Sequence, residues 1–339
     1  LAYTSTLEAS EVIAQPLSSG AAMWKPRLMS EPMSAKFFVD CDPGHDDAIA
    51  LAVAAHRGQL LGVTTVAGNV AVEQTTINAL TVLQLLGSEV EVHSGAAVPL
   101  NGQPGQFASF VHGDNGLVGA TMPALTRSVA SDDAAGYLIE ATGEHPGAWI
   151  LAIGPLTNLA LALQRDPTLV ERIAGITMMG GGTYGNITAA AEFNISFDPE
   201  AADLVFRSGA KIVQCGLDLT HQLCVDDALV ASARHASNAF GEFCAGMLGG
   251  YLENIRALTG SNIEAVLYDP CAALAVTDPE LFDFVQRYVE VELTGELTRG
   301  MTLMDQRSWM AEGGPVQWAQ TIDAVAATNL ILDSIAAVP

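Results

Sequence analysis

Phe37-Phe38-Val39-Asp40-Cys41-Asp42-Pro43-Gly44-His45-Asp46-Asp47 is the stretch on which the fold turns. Its β-prone start breaks at a Pro-Gly turn and runs into Ala48-Ile49-Ala50-Leu51-Ala52-Val53-Ala54-Ala55, a series of strong helix formers, so the segment reads strand, turn, helix. Four carboxylates within eight positions therefore sit at the carboxyl end of a strand, where open α/β sheets place ligands. One Asp at a helix start is an ordinary cap, and that reading suffices for Asp46 alone. Four so close raise one another's pKa unless a cation or ordered donors offset the repulsion, which makes the turn a candidate site for a hard cation or a polyol. An EF-hand is excluded, since that loop needs Gly where His45 stands and Glu where Leu51 stands.

The chain around this turn has 339 residues, half of them apolar, enough for a large buried core. Fourteen basic residues against 38 acidic ones give a net charge of -24, which disfavours nucleic acid and anionic membrane surfaces as partners. Five widely spaced cysteines without a Cys-x-x-Cys pair fit a cytoplasmic protein rather than a disulfide framework or structural zinc. Residues 1–35 lack helical or strand periodicity and the layout of a signal peptide, so they are expected as a disordered leader.

Apolar runs at Leu60–Val66, Val90–His93, Ala148–Ile153, Ile176–Met179 and Lys211–Leu217 alternate with helix-length segments, which predicts right-handed βαβ crossovers. The expected fold is α/β: an open, mostly parallel Rossmann-like sheet flanked by helices, in one domain. Tyr288–Leu293, Val316–Ile322 and a last helix over Ala324–Ala336 are expected as peripheral C-terminal elements, and residues 99–119 as a long loop of functional interest. Polar residues recur where strands end: Asn69, Asn158, the Gly180-Gly181-Gly182 run, Glu192 with Asn194, and Asp218 with His221. Each alone is a plain turn signal, but five at one sheet edge would line a shared crevice.

With these residues in view, the chain resembles the metal-dependent nucleoside hydrolases (inosine-uridine preferring nucleoside N-ribohydrolases) over residues 36–337. The resemblance rests on the acidic turn at Asp40–Asp47 and an ordered set of further matches: Thr64–Asn69, His112-Gly113 with Gly116-Leu117, Gly154–Asn158, Met179–Gly182, Ala191–Asn194, Gly216–His221 and Asp269-Pro270-Cys271. It implies hydrolysis of the N-glycosidic bond of ribonucleosides by a Ca²⁺-bound water that Asp42 activates, through an oxocarbenium-like transition state. The implied metal ligands are Asp42, Asp47, Asp269 and the backbone carbonyl of Ile153, with Asp40 behind them orienting its neighbours. Asp46, Asn69, Met179, Asn186, Glu192 and Asn194 would hold the ribose, Asn194 also aiding catalysis, while His112, His221 and Tyr268 would face the base. A homodimer or homotetramer is implied as well.

One departure matters for the chemistry. Tyr268 stands where many family members carry a His before the metal-binding Asp, and a phenol is a poorer proton donor at neutral pH than an imidazolium. Leaving-group activation would then fall to Tyr268 or His112. His45 is not expected to bind the cation, because hard ions prefer oxygen. The segment Gln222–Arg256 would cover the base side, and its Phe240, Phe243, Met247 and Tyr251 have the spacing of a helical core stripe. Two rivals come from other classes. A haloacid-dehalogenase-like phosphatase would need Thr or Val in place of Gly44 and a phosphate-binding lysine, of which the chain has three candidates at most. A nucleoside-binding protein without catalysis would bind tightly and release no ribose. Met33, just before the first strand, is the expected native start; the intact mass of the natively expressed protein checks this, and a mass that includes earlier residues would contradict it.

Overall fold

A computed structural model describes residues 35–260, 265–307 and 313–339. The expected leader falls outside these residues apart from Ala35. Among the described residues, the strands are β1 (Lys36–Cys41), β2 (Gln59–Thr65), β3 (Val92–Ser94), β4 (Trp149–Ala152), β5 (Gly175–Met179), β6 (Ile212–Cys215), β7 (Cys224–Val225), β8 (Ala265–Val266), β9 (Phe282–Arg287), β10 (Val289–Val291), β11 (Thr302–Met304) and β12 (Val316–Ile322). Eight of them form one sheet in the order β3-β2-β1-β4-β5-β6-β12-β9, parallel throughout except for the antiparallel edge pair β12 and β9. The strand order reverses at β1, which lies between β2 and β4. That reversal opens a crevice beyond the carboxyl ends of β1 and β4.

Alternation along the strands supplies both faces of the sheet. Phe37, Val39 and Cys41 of β1 point into one apolar layer with Leu151, Ile49 and Val53, while Phe38 joins Ile150, Ile176 and Trp318 in the other. Because both faces are covered, the central strands are apolar runs rather than alternating ones. The helix His45–Arg57 follows β1 directly, and its residues from His45 to Ala54 are all buried. Its last turn is tied by the Arg57 guanidinium, which donates to the carboxylate of Asp278.

The C-terminal elements, expected at the periphery, extend the main sheet at its far edge. β12 pairs in parallel with β6, and the final helix Ala324–Ala336 packs its Ala327, Ile331 and Ile335 into the core. Of the expected strand Tyr288–Leu293, only Val289–Val291 is extended, and it pairs with β11 in a separate ribbon. The loop over residues 99–119 contains one helical turn, Ser109–His112. Because β12 is part of the sheet and Trp318 on it is 1 % exposed, Trp318→Ala is expected to cost about 3–5 kcal/mol of stability. Urea unfolding measures this, and a loss below about 1 kcal/mol would contradict an integral β12.

Candidate active site

The acidic turn holds its shape through its own carboxylates. Asp47, in the first turn of the helix His45–Arg57, accepts from the backbone N–H of Gly44 at 2.8 Å and of Asp42 at 3.1 Å. It thereby satisfies donors that an N-terminus leaves orphaned, as a capping box does. Asp42 is held from the other side. The Asn69 backbone N–H donates to its Oδ2 at 2.7 Å, and the Asn69 amide donates to its carbonyl at 3.0 Å. Asp42 Oδ1 is buried and has no hydrogen-bond partner. A Cβ on Gly154 would lie 2.6 Å from that oxygen, and one on Gly68 would lie 2.1 Å from Oδ2, so both glycines are required for the backbone to close around this carboxylate.

Asp40 lies one layer deeper. Its Oδ1 accepts from the Thr64 hydroxyl at 2.6 Å and from the Asn158 amide at 2.8 Å; the same amide donates to the Thr65 carbonyl. Asp40 does not line the cavity described below, in keeping with a supporting place behind the turn. Asn158, read from the sequence only as a strand-end turn residue, joins Thr64 in tying Asp40 to β2.

A cavity of about 190 Å³ opens above the turn. It brings together Asp42, Asp46, Asn69, His112, Ile153 and Met179 with Asn186, Glu192, Asn194, Tyr268 and Asp269. The remaining expected residues lie elsewhere: Asp47 is buried beneath it and His221 is exposed outside it. The resemblance assigns Asp46 to the ribose, but its carboxylate groups with those of Asp47 and Asp269, one oxygen of each within 4.8 Å of the others. The backbone N–H of Asp42 donates to Asp47 of this trio at 3.1 Å, and the Ile153 carbonyl accepts from the Asn194 amide at 3.1 Å.

Enclosure shapes the acidity of all these groups. Burial, then repulsion from Asp47, pushes Asp46 up to about 7 and Asp42 well above the carboxylate range. Burial raises Asp40 to about 7 and Asp47 to about 6, the latter opposed by the Gly44 N–H. Asp269 is raised well above its ordinary value by burial and by Asp46, Asp47 and Asp42. Among the described residues, the lining of the cavity contains no lysine or arginine to offset this charge.

The sugar-side residues are fixed by backbone. Glu192 accepts from the N–H groups of Asn194 at 2.9 Å, Ile195 at 3.0 Å and Gly181 at 3.0 Å, so it caps the short helix Phe193–Phe197 and anchors the glycine run after β5. Asn194 in turn donates to the carbonyls of Ile153 and Met179, bridging the ends of β4 and β5.

The other wall is aromatic and apolar. Tyr268 hydrogen-bonds Asn186, and burial, followed by Asp46, raises its phenol further, so it remains neutral. His221 meets Tyr268 edge-on with ring centroids 5.9 Å apart. His112 and His45 stack with Tyr251, and burial pushes His45 down to about 4 and His112 well below the ordinary histidine value. Of the helical stripe, Phe240, Phe243 and Met247 are core, while Tyr251 also reaches the cavity. Ala108, Phe110, Val111, Ile187 and Ile255 also line the cavity and were not marked by any motif, whereas Phe193 lies within the matched stretch Ala191–Asn194. Phe110 and Val111 adjoin His112 in the long loop, the one signal that could have found them.

The profile of the inosine-uridine preferring nucleoside hydrolases matches residues 37–329. The chain belongs to that family. It is 38% identical over 309 residues to the pyrimidine-specific ribonucleoside hydrolase RihA of Shewanella sp. (strain MR-7), covering 90% of this chain and 97% of that one. It is 37% identical over 301 residues to uridine nucleosidase 1 of Arabidopsis thaliana, covering 85% and 89%. Among solved structures, the purine-preferring ribonucleoside hydrolase from Gardnerella vaginalis superposes with a TM-score of 0.83 at 31% identity, covering 89% of this chain and 98% of that one. As a member of the nucleoside hydrolases, this chain is a ribonucleoside hydrolase, an N-glycosyl hydrolase.

The residues of this nucleoside hydrolase fit a divalent cation. An unpartnered buried oxygen on Asp42, three further carboxylates and, among the described residues, no lysine or arginine on the cavity wall make a hard-oxygen donor set of strongly negative character. The pH dependence of stability follows. Asp40, Asp46 and Asp47 bind protons more tightly folded than unfolded, so the folded state holds more protons between about pH 4 and about pH 7. Chelator-treated protein is therefore expected to lose stability as pH rises from about 5 to about 7.5, and Ca²⁺ to restore most of the loss at the higher pH. Urea midpoints with chelator and with Ca²⁺ check this; midpoints that rise with pH in chelator would contradict it.

Proposed function

We propose that this hydrolase cleaves ribonucleosides to ribose and free base with Asp42 as general base, Ca²⁺ as its metal and uridine-type nucleosides favoured. The observation that carries the reading is the Asp42 carboxylate: one oxygen is fixed by the Asn69 N–H, and the other is buried without a partner in a residue that lines the cavity. A base must be oriented and must have a lone pair to spare, and Asp42 meets both needs. Asp42, Asp47, Asp269 and the Ile153 carbonyl would hold the ion, with Asp46 beside them. A bound hard cation makes water more acidic and polarises sugar hydroxyls.

The rest of the cavity suits the sugar. Asp46, Asn69, Met179, Asn186, Glu192 and Asn194 would grip the ribose, and their oxygens favour the positive charge that grows on it as the glycosidic bond breaks. Asn194 is well placed in this scheme because its amide is already fixed by two carbonyls, which leaves its Oδ1 for the substrate. Tyr268 and His112 would meet the base, with His221 behind Tyr268. A neutral phenol can donate a hydrogen bond to the departing base without ionising. Support for uridine over purine nucleosides comes from the pyrimidine and uridine relatives at 38% and 37% identity, set against the purine-preferring one at 31%. Assembly as a homodimer or homotetramer in the cytoplasm belongs to the same proposal.

A ribose-release assay on uridine, cytidine, inosine and adenosine, with and without chelator, tests the reading. Asp42→Asn is expected to lower kcat by about 10²–10⁴-fold with the fold retained by circular dichroism. Uridine should exceed 2′-deoxyuridine by at least about tenfold in kcat/KM, since the deoxy sugar leaves buried polar groups unpaired. Retained turnover in Asp42→Asn, or equal rates on the two sugars, would overturn the assignment.

A further inference from the structure

His45 is part of the acidic turn and His112 lines the cavity beside it; the hydrolase reading gives His45 no role and sets His112 only beside the base. Both rings are buried, and no carboxylate accepts from either. Their Nδ1 atoms lie 2.9 Å apart, so one donates and the other accepts. His45 Nε2 lies 3.3 Å from the backbone carbonyl of Val118. A carbonyl only accepts, so the hydrogen of a neutral His45 is on Nε2 and its Nδ1 is the bare acceptor. His112 must then carry its hydrogen on Nδ1, which leaves a lone pair on Nε2. The opposite assignment would set the His45 Nε2 lone pair against the Val118 oxygen, two acceptors face to face.

The geometry around the pair holds it in place. Tyr251 stacks on His45 with centroids 4.8 Å apart and rings 17° from parallel, and is itself fixed by donating to the Val266 carbonyl at 3.1 Å. Gly44 allows the approach, because a Cβ there would lie 2.6 Å from His112 Nδ1. No described protein group pairs with His112 Nε2, and His112 lines the cavity.

We propose that His45 is a positioning residue that fixes the tautomer of His112, so that His112 Nε2 accepts a hydrogen bond from an O–H or N–H of the nucleoside. His112 then reads a donor on the substrate and is not the acid that protonates the leaving base. The proposal rests on the hydrolase reading for its ligand, but not for its tautomer.

The test uses the full chain labelled with ¹⁵N in histidine, near neutral pH, with His112→Gln identifying the His112 signals. The expected spectrum shows His112 with protonated Nδ1 and bare Nε2, and His45 with the reverse. It needs no variant of His45, so it decides the assignment even if such variants fail to fold. His45→Phe keeps a ring for the stack and removes the acceptor, so His112 should shift toward the Nε2-protonated form. Ribose release from uridine, 5′-deoxyuridine and 3-methyluridine then finds the donor, since the analogues lack the sugar hydroxyl and the ring N–H respectively. Wild-type enzyme should lose about tenfold in kcat/KM on one analogue, and His45→Phe should lose a similar factor on uridine but little more on that analogue. A protonated His112 Nε2 in the wild type, an unchanged His112 tautomer in His45→Phe, or full activity on both analogues would overturn the proposal. No ribose release by the wild type, with the expected spectrum, would instead contradict the hydrolase reading and leave the tautomer assignment standing.

Discussion

Five buried carboxylates crowd together at the carboxyl end of β1 and the N-terminus of the helix Pro270–Thr277, and the structure is arranged to tolerate them. Burying unpaired charge is costly, so such groups either keep their protons or find donors and cations. Here the donors are backbone and amide groups: the N–H groups of Asp42, Gly44 and Asn69, the amide of Asn158 and the hydroxyl of Thr64. They orient Asp40, Asp42 and Asp47 without neutralising them. What remains is a carboxylate-rich cavity of about 190 Å³ whose donor chemistry suits a hard cation and a polyhydroxylated sugar.

The sheet puts these parts in reach of one another. Asp40 and Asp42 come from β1 and the turn after it, Ile153 from the end of β4, and Met179 from the end of β5, three neighbouring strands at the reversal of strand order. Asn194 then links β4 to β5, and Glu192 holds Asn194 by its backbone. The residues proposed to grip the sugar thus gather at strand ends and around Asn194, while the side proposed for the base is formed by the long loop and the helix Ala239–Thr259.

Much of this was legible in the sequence, for physical reasons that differ by region. The strand-turn-helix at residues 36–57 is visible because an apolar run, a Pro-Gly turn and an alanine-rich helix each speak locally. The strand-end polar residues were visible because turn chemistry marks where strands stop. The capping role of Asp47 was not, since four adjacent carboxylates look alike until the backbone shows which one turns back. β12 was found as an element but set at the edge of the fold, because its place beside β6 depends on a crossover from a distant segment. The aromatic stack escaped for the same reason: His45, His112 and Tyr251 are each ordinary in isolation and meet only through the fold.

On the proposed reading the carboxylate cluster is a cation site that gives up protons when it fills. Calorimetric titration of Ca²⁺ into chelator-treated protein near neutral pH, repeated in buffers of different ionisation enthalpy, tests it most directly. The account predicts one ion per chain, net proton release because raised carboxylates must ionise to bind, and loss of binding in Asp269→Asn. No binding, binding without proton release, or binding that survives Asp269→Asn would contradict it.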